Sequence, residues 1–317
     1  MAHRNAVALM VLATLLWSIV GVVTRHLDSA RGFEMTFWRS LSNAVCMMIA
    51  LRIMRGPALW RNLLHAPWQV WVSGICWGMM YTAFMLALTM TTVANVLVVQ
   101  SIGPLITALF ARVFLRYRLP LRTWGAIIIG SAGIAWMFGQ EAAGSVSLIG
   151  SLIALAVPLA SSTNWALLQS VSYRQGGESP GKRPDMLFSI LIGALLSACV
   201  MLPLAYPFQA STYDMSWLII LGVVQLAAPC LLAVRASRGL HAAEMSLLLQ
   251  LETLFGVTWA WLGAGEQPPS SALVGGALVL GALVANEVLG MRQNRQLLDE
   301  TRPVSEKQSL SSISPPS

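Results

Sequence analysis

Glu252 and Arg39 fall inside long apolar runs, where a charge is costly. Glu252 stands about midway along an apolar stretch spanning 242–262. At that depth in a bilayer a carboxylate costs roughly 3 kcal/mol on insertion scales, so it should face a cavity or a partner. The chemistry open to it is proton coupling or binding of a substrate ammonium. The competing reading is an acid hydrogen-bonded to a neighbouring helix. Met245, Leu248, Glu252, Gly256 and Trp259 share a face by three-and-four spacing, so Trp259 belongs to the same wall. Arg39 lies about six residues into the stretch 33–53, roughly 9 Å deep at 1.5 Å per residue. It could capture a substrate carboxylate. It could equally snorkel to the outer mouth, or pair there with Glu34 or Asp28.

Aromatic and amide side chains complete the candidate set. Trp17 and Trp165 sit well inside their runs, away from the interfacial belts where tryptophan is enriched. Tyr81 is near the middle of a third run and its hydroxyl needs a partner. Gln169 extends a polar stripe through Pro158, Ser161, Ser162 and Trp165. Pro104 frees the carbonyl of Gln100 one turn back, and Pro229 does the same for Gln225. Trp17, Tyr81, Gln100, Trp165, Gln169, Gln225, Glu252 and Trp259 are therefore candidate substrate-lining residues, with plain helix packing as the alternative for each. Gly74 and Gly78 form a GxxxG pair that reads as packing. Glu266 beside Gln267-Pro268-Pro269 reads as solvated or capping.

These residues must be held by membrane-spanning helices. The chain has 317 residues, 56% hydrophobic and only 10% charged. A soluble domain carries about 25% charged residues. Mean hydropathy is +0.67. Soluble enzymes, disordered regulators and secreted disulfide scaffolds are excluded, and a polytopic membrane protein remains. Ten segments can each supply about 20 apolar residues: 5–24, 33–53, 69–89, 93–115, 121–138, 148–170, 186–206, 216–234, 242–262 and 271–290. The first is too long for a signal-peptide core and reads as an uncleaved helix.

The net charge of +7 is explained by topology, not by nucleic acid. With the N-terminus inside, seventeen of the twenty Lys and Arg residues fall on the inner side. Only Arg25 and Arg31 fall outside, and Arg39 lies within a span. Both termini are therefore expected in the cytoplasm, in a cell membrane and by composition a bacterial inner membrane. Residues 291–317 are expected to be a disordered tail.

The chain also repeats itself. Trp17 matches Trp165 at an offset of 148, and Asn95 matches Glu244 at 149. Gly125, Gly130 and Gly133 resemble Gly275, Gly276 and Gly281. Five helices per half is odd, so the halves 1–140 and 141–290 enter the membrane from opposite sides. The expected fold is all-α, ten transmembrane helices as two inverted-topology five-helix repeats, an arrangement common in secondary transporters.

Several motifs carry a family resemblance. Thr91-Thr92-Val93-Ala94-Asn95 through Ser101-Ile102-Gly103-Pro104 to Phe114-Leu115 resembles the first-half motif of the EamA family of the drug/metabolite transporter superfamily. Leu247 to Glu252, Gly265-Glu266 and Gly275-Gly276-Ala277-Leu278 resemble its second-half motif. Leu16-Trp17-Ser18 and Phe37-Trp38-Arg39-Ser40 are also similar to family features. The resemblance covers about 5–290. Two departures stand out: Leu115-Arg116-Tyr117 replaces a Leu-Gly-Glu, and Glu252-Thr253 replaces a Glu-Pro.

The resemblance implies an ATP-independent transporter of amino acids, other metabolites or drug-like compounds. The expected activity is export of amino acids or related compounds by alternating access, with Glu252 as proton-coupling residue and Arg39 at the mouth. An importer of a vitamin or nucleoside-like metabolite is the alternative within transport. Outside it stand a membrane scaffold and an intramembrane enzyme. No HExxH, GxSxG or GxxxxGK[ST] motif occurs, and His3, His26, His65 and His241 lie outside the predicted spans. Cys46, Cys76, Cys199 and Cys230 are scattered in apolar stretches and read as small hydrophobes. No catalytic residue, metal or cofactor is expected; the expected partners are a small molecule, the bilayer and protons.

Overall fold

The computed structural model describes residues 2–20, 23, 27, 29–30, 32–91, 93–116, 119–142, 147–174, 184–264 and 270–301. Asp28, Arg25, Arg31, Glu266 and the segment 302–317 lie outside them. No strand occurs among the described residues. The reason is compositional: only helices satisfy every backbone group within one apolar segment.

Among the described residues, helix runs through part or all of each predicted segment. In order these are α1 (His3–Ser18), α2 (Gly32–Arg55), the short α3 (Leu59–Leu64), α4 (Trp68–Met90), α5 (Val93–Gln100), α6 (Gly103–Phe114) and α7 (Leu121–Ala142). Then follow α8 (Leu148–Arg174), α9 (Leu187–Ala205), α10 (Thr212–Ile220), α11 (Ala228–Ala236), α12 (Ala242–Leu249), α13 (Leu251–Ala264) and α14 (Ser270–Thr301). Among the described residues five helices are long and apolar enough to cross a membrane: Trp68–Met90, Asn95–Phe114, Leu148–Ser172, Leu187–Ala205 and Thr212–Ala236. These make the chain a multi-pass membrane protein. α2 carries Glu34, Arg39, Arg52 and Arg55, which lower its hydropathy.

Three interruptions shape the interior. α5 stops at Gln100 and α6 starts at Gly103, with Pro104 in its first turn, where a missing N–H costs nothing. α12 and α13 break at Gln250 although no proline stands there. Between α10 and α11 the helix widens to a π turn over Leu221–Ala227. Pro229 cannot donate to the Gln225 carbonyl, and the Ala228 N–H reaches back instead to Val223. At the C-terminus α14 runs on to Thr301, past the predicted end near 290. Nothing from Met291 to Thr301 breaks a helix, and the next proline is Pro303.

Glycines set the closest helix crossings. α4 packs on α9 and α8, α2 on α9 and the π turn, α1 on α11 and α13, and α7 on α14. A Cβ on Gly193 of α9 would collide with the Trp77 Cβ and lie 2.9 Å from both the Gly74 carbonyl and the Gly78 N–H. A Cβ on Gly222 would lie 2.6 Å from the Arg39 carbonyl and 3.0 Å from the Asn43 nitrogen. Both crossings are backbone against backbone, the contact small residues permit in a membrane.

Gly193→Ala should therefore lower the thermal midpoint in detergent, at a cost of roughly 1–3 kcal/mol for overpacking. Gly125→Ala, whose Cβ would meet nothing within 4 Å, should leave the midpoint unchanged or slightly raised. Equal midpoints for the two variants would show that the α4–α9 crossing has slack.

Candidate functional site

Arg39 is only 4% exposed, within the bundle. Its Nη1 donates a long hydrogen bond, 3.4 Å, to Oε1 of Gln225. Gln225 in turn donates from Nε2 to the Trp17 carbonyl at 3.1 Å. The Trp17 carbonyl is one of the last in α1, and it also accepts the Ile19 N–H at the helix end. The π turn thus delivers one amide that serves a helix end and a buried guanidinium together. Arg39 does not pair with Glu34. That carboxylate accepts the backbone N–H groups of Gln209 and Ala210 at 2.9–3.0 Å, and the Trp38 indole N–H at 3.3 Å.

Around this core stands an aromatic group. Trp77 is its hub, with ring centroids 6.4 Å from Trp17, 5.8 Å from Tyr81 and 5.6 Å edge-on from Trp165. The Tyr81 hydroxyl and the Cys230 thiol lie 3.0 Å apart. The indole nitrogens of Trp77 and Trp165 are buried without a hydrogen-bond partner.

Glu252 stands in the first turn of α13, directly after the break at Gln250. A carboxylate is favoured there by the exposed N–H groups of a helix start. It is half-buried, and among the described residues it has neither a hydrogen bond nor an ion pair. Its charge interacts with that of Arg39, without direct contact. The break at Gln250 separates Met245 and Leu248 of α12 from Glu252 and Trp259 of α13, so the face expected over 242–262 is not continuous. Trp259 of α13 donates from its indole N–H to Ser18 Oγ at 3.0 Å, tying α13 to the end of α1.

The structure thus joins Trp17, Arg39, Tyr81, Trp165 and Gln225 by hydrogen bonds and ring contacts, with Glu252 in electrostatic reach and Trp259 on the adjoining helix. Gln100 and Gln169 are placed elsewhere: no hydrogen bond or ring contact joins either to that cluster. Gln169 Oε1 accepts the Ala242 N–H at 2.8 Å, at the start of α12. Gln100 is half-buried at the end of α5, with its Nε2 unpartnered.

Sequence reasoning missed Trp77 as the aromatic hub, Cys230 as the neighbour of Tyr81, and Asn43. A signal existed for the second: Tyr81 and Cys230 are 149 residues apart, the repeat offset.

The family model of EamA-like transporters matches residues 4–139. That family is one of the drug/metabolite transporter superfamily, and the match suggests a membrane transporter of small molecules. No curated protein matches the chain. One solved structure, described as "Crystal structure of protein", shares the fold at a TM-score of 0.70 and 20% identity, over 92% of this chain and 99% of that one. The fold likeness therefore extends well beyond the EamA-like region. That region holds Trp17, Arg39, Tyr81 and Gln100, whereas Trp165, Gln169, Gln225, Glu252 and Trp259 lie outside it.

Gln225→Leu removes the acceptor from Arg39 and the donor from the Trp17 carbonyl. The expected loss is about 2 kcal/mol of stability, read as a lower thermal midpoint. Adding Arg39→Leu should recover part of it, since the orphaned guanidinium goes too. Additive losses would mean that the 3.4 Å contact carries no energy.

Proposed function

We propose that the chain is a secondary transporter that exports amino acids or related compounds by alternating access around the Arg39–Gln225–Trp17 cluster. The observation that carries this reading is a buried guanidinium and an unpaired, half-buried carboxylate, Glu252, set apart among aromatic rings. Opposite charges held apart suit a zwitterion, and the rings suit its carbon skeleton. Glu252 is the proposed coupling group for protons. Gln100 and Gln169 remain candidate lining residues for another state of the cycle.

The proposed frame is ten helices in two inverted repeats, 1–140 and 141–290, with both termini in the cytoplasm of a cell membrane. Its support is the symmetry of the packing. α1 lies on α11 as α8 lies on α4, and α1 meets α12 and α13 as α8 meets α5 and α6. Gly222 meets the Arg39 carbonyl of α2, and Gly74, 148 residues earlier, meets the Ser189 carbonyl of α9. The breaks at Ser101–Ile102 and at Gln250 also correspond. Discontinuous helices at matching positions are the usual setting of a substrate site in such folds.

Purified protein in liposomes should exchange labelled L-amino acids in counterflow, and an imposed pH gradient should accelerate net movement. Glu252→Gln should keep the exchange and lose the response to the gradient. An unchanged gradient response in Glu252→Gln would remove Glu252 from coupling. Exchange of nucleosides or vitamins with no movement of amino acids would replace the substrate assignment.

A further inference from the structure

Three polar atoms on one face of α2 have no hydrogen-bond partner among the described residues: Nε of Arg39 and both ends of the Asn43 amide. Arg39 and Asn43 are 4% and 0% exposed. They are four residues apart, so they stand one helical turn from each other on the same side. The backbone around them is fixed. Gly222 brings the π turn against the Arg39 carbonyl and the Asn43 nitrogen, so α2 cannot rotate to release Asn43 without a clash.

The neighbouring polar groups are already engaged. Gln225 holds Arg39 and the Trp17 carbonyl. Tyr81, which lies beside Asn43, has its hydroxyl 3.0 Å from the Cys230 thiol. A buried polar group left unpaired costs about 1–3 kcal/mol, and native interiors contain few. The unmet demand here is specific: donors from Arg39 Nε and Asn43 Nδ2, and an acceptor at Asn43 Oδ1.

We propose that Arg39 and Asn43 form a subsite for the head group of an α-amino acid. The two donors take the carboxylate, and Asn43 Oδ1 accepts from the amino nitrogen beside it. A simple anion would leave Asn43 Oδ1 unmet, and a simple amine would leave Arg39 Nε unmet. The inference rests on the amino-acid reading above and deepens it: Asn43 enters the site, and the amino group is held next to the carboxylate pocket instead of by Glu252 alone.

The test uses Asn43→Leu, which keeps the volume and removes both polar atoms. Replacing an unsatisfied buried amide by an apolar group of similar shape is neutral or stabilising. The thermal midpoint of the ligand-free full chain should therefore stay level or rise. Binding to the detergent-purified protein is then measured for the twenty common L-amino acids, and for the des-amino and amide analogues of the tightest binder. Wild type should prefer the amino acid to both analogues. Asn43→Leu should bind it roughly tenfold more weakly and lose the preference over the des-amino analogue.

A lowered midpoint would overturn the proposal, because Asn43 would then be satisfied within the protein. Wild-type affinity in Asn43→Leu would overturn it while leaving amino-acid transport standing. Failure of wild type to bind any of the twenty would overturn both.

Discussion

The burial of one guanidinium governs the centre of this molecule. Arg39 is buried within the bundle, and a charge in a low-dielectric interior persists only where fixed dipoles meet it. Gln225 supplies that dipole. It can do so because the π turn widens the backbone where Pro229 has no N–H to give. The turn can approach α2 closely because residue 222 is glycine. The other end of the same amide closes α1 at Trp17. One proline, one glycine and one glutamine, all within eight residues, thus determine where α1, α2 and α11 meet. Each is a poor or indifferent choice for a plain apolar helix, which is why their coincidence reads as a site.

Carboxylates are handled differently at different depths. At the end where α2 begins, Glu34 is buried but accepts backbone N–H groups of Gln209 and Ala210. Asp214 nearby caps α10 and accepts both the N–H and the hydroxyl of Ser29. At the other end of the same helix Arg55 pairs with Asp185 at 2.6 Å in a more open setting. So α2 and α9, antiparallel neighbours, are pinned at both ends by a carboxylate at the start of one and the chain just beyond or at the end of the other. Among the described carboxylates, only Glu252 has neither a hydrogen bond nor an ion pair. A carboxylate denied internal hydrogen bonds, where others of its kind are fully satisfied, is the one free to change its charge state or its ligand.

Much of this was legible in the chain, and the reason is physical. Apolar length reports helices because the bilayer permits little else, and among the described residues helix runs through part or all of each predicted segment. Pro104 announced the break before α6. Arg39, Trp17 and Trp165 stood out because charge and indole are expensive or rare at depth. The break at Gln250 was not legible, since no proline or glycine stands there; Gln250 Nε2 lies 3.5 Å from Ser131 Oγ. Asn43 and Trp77 were hidden for a related reason. Their importance lies in which groups stand opposite them, and no periodicity within one helix carries that information. Helix continues in α14 to Thr301, beyond the apolar run, because helix-forming residues extend that far.

The division of the site between the two halves bears on how it can work. The first half contributes the cation, the Asn43 amide and most of the rings; the second contributes Gln225, Cys230 and Glu252. Where α2 meets the π turn, and where α4 meets α9, the contact is backbone on backbone and tolerates little sliding. The guanidinium, its amide partner and the aromatic hub are therefore held by close backbone crossings. The interruptions at 101–102 and at Gln250 are the opposite. Their helical hydrogen-bond ladders are already broken, so bending there sacrifices least. Glu252 stands two residues beyond one of these breaks. A movement of α13 about Gln250 would carry the unpaired carboxylate relative to a stationary Arg39, changing the separation of the two charges without dismantling the cluster that holds the cation.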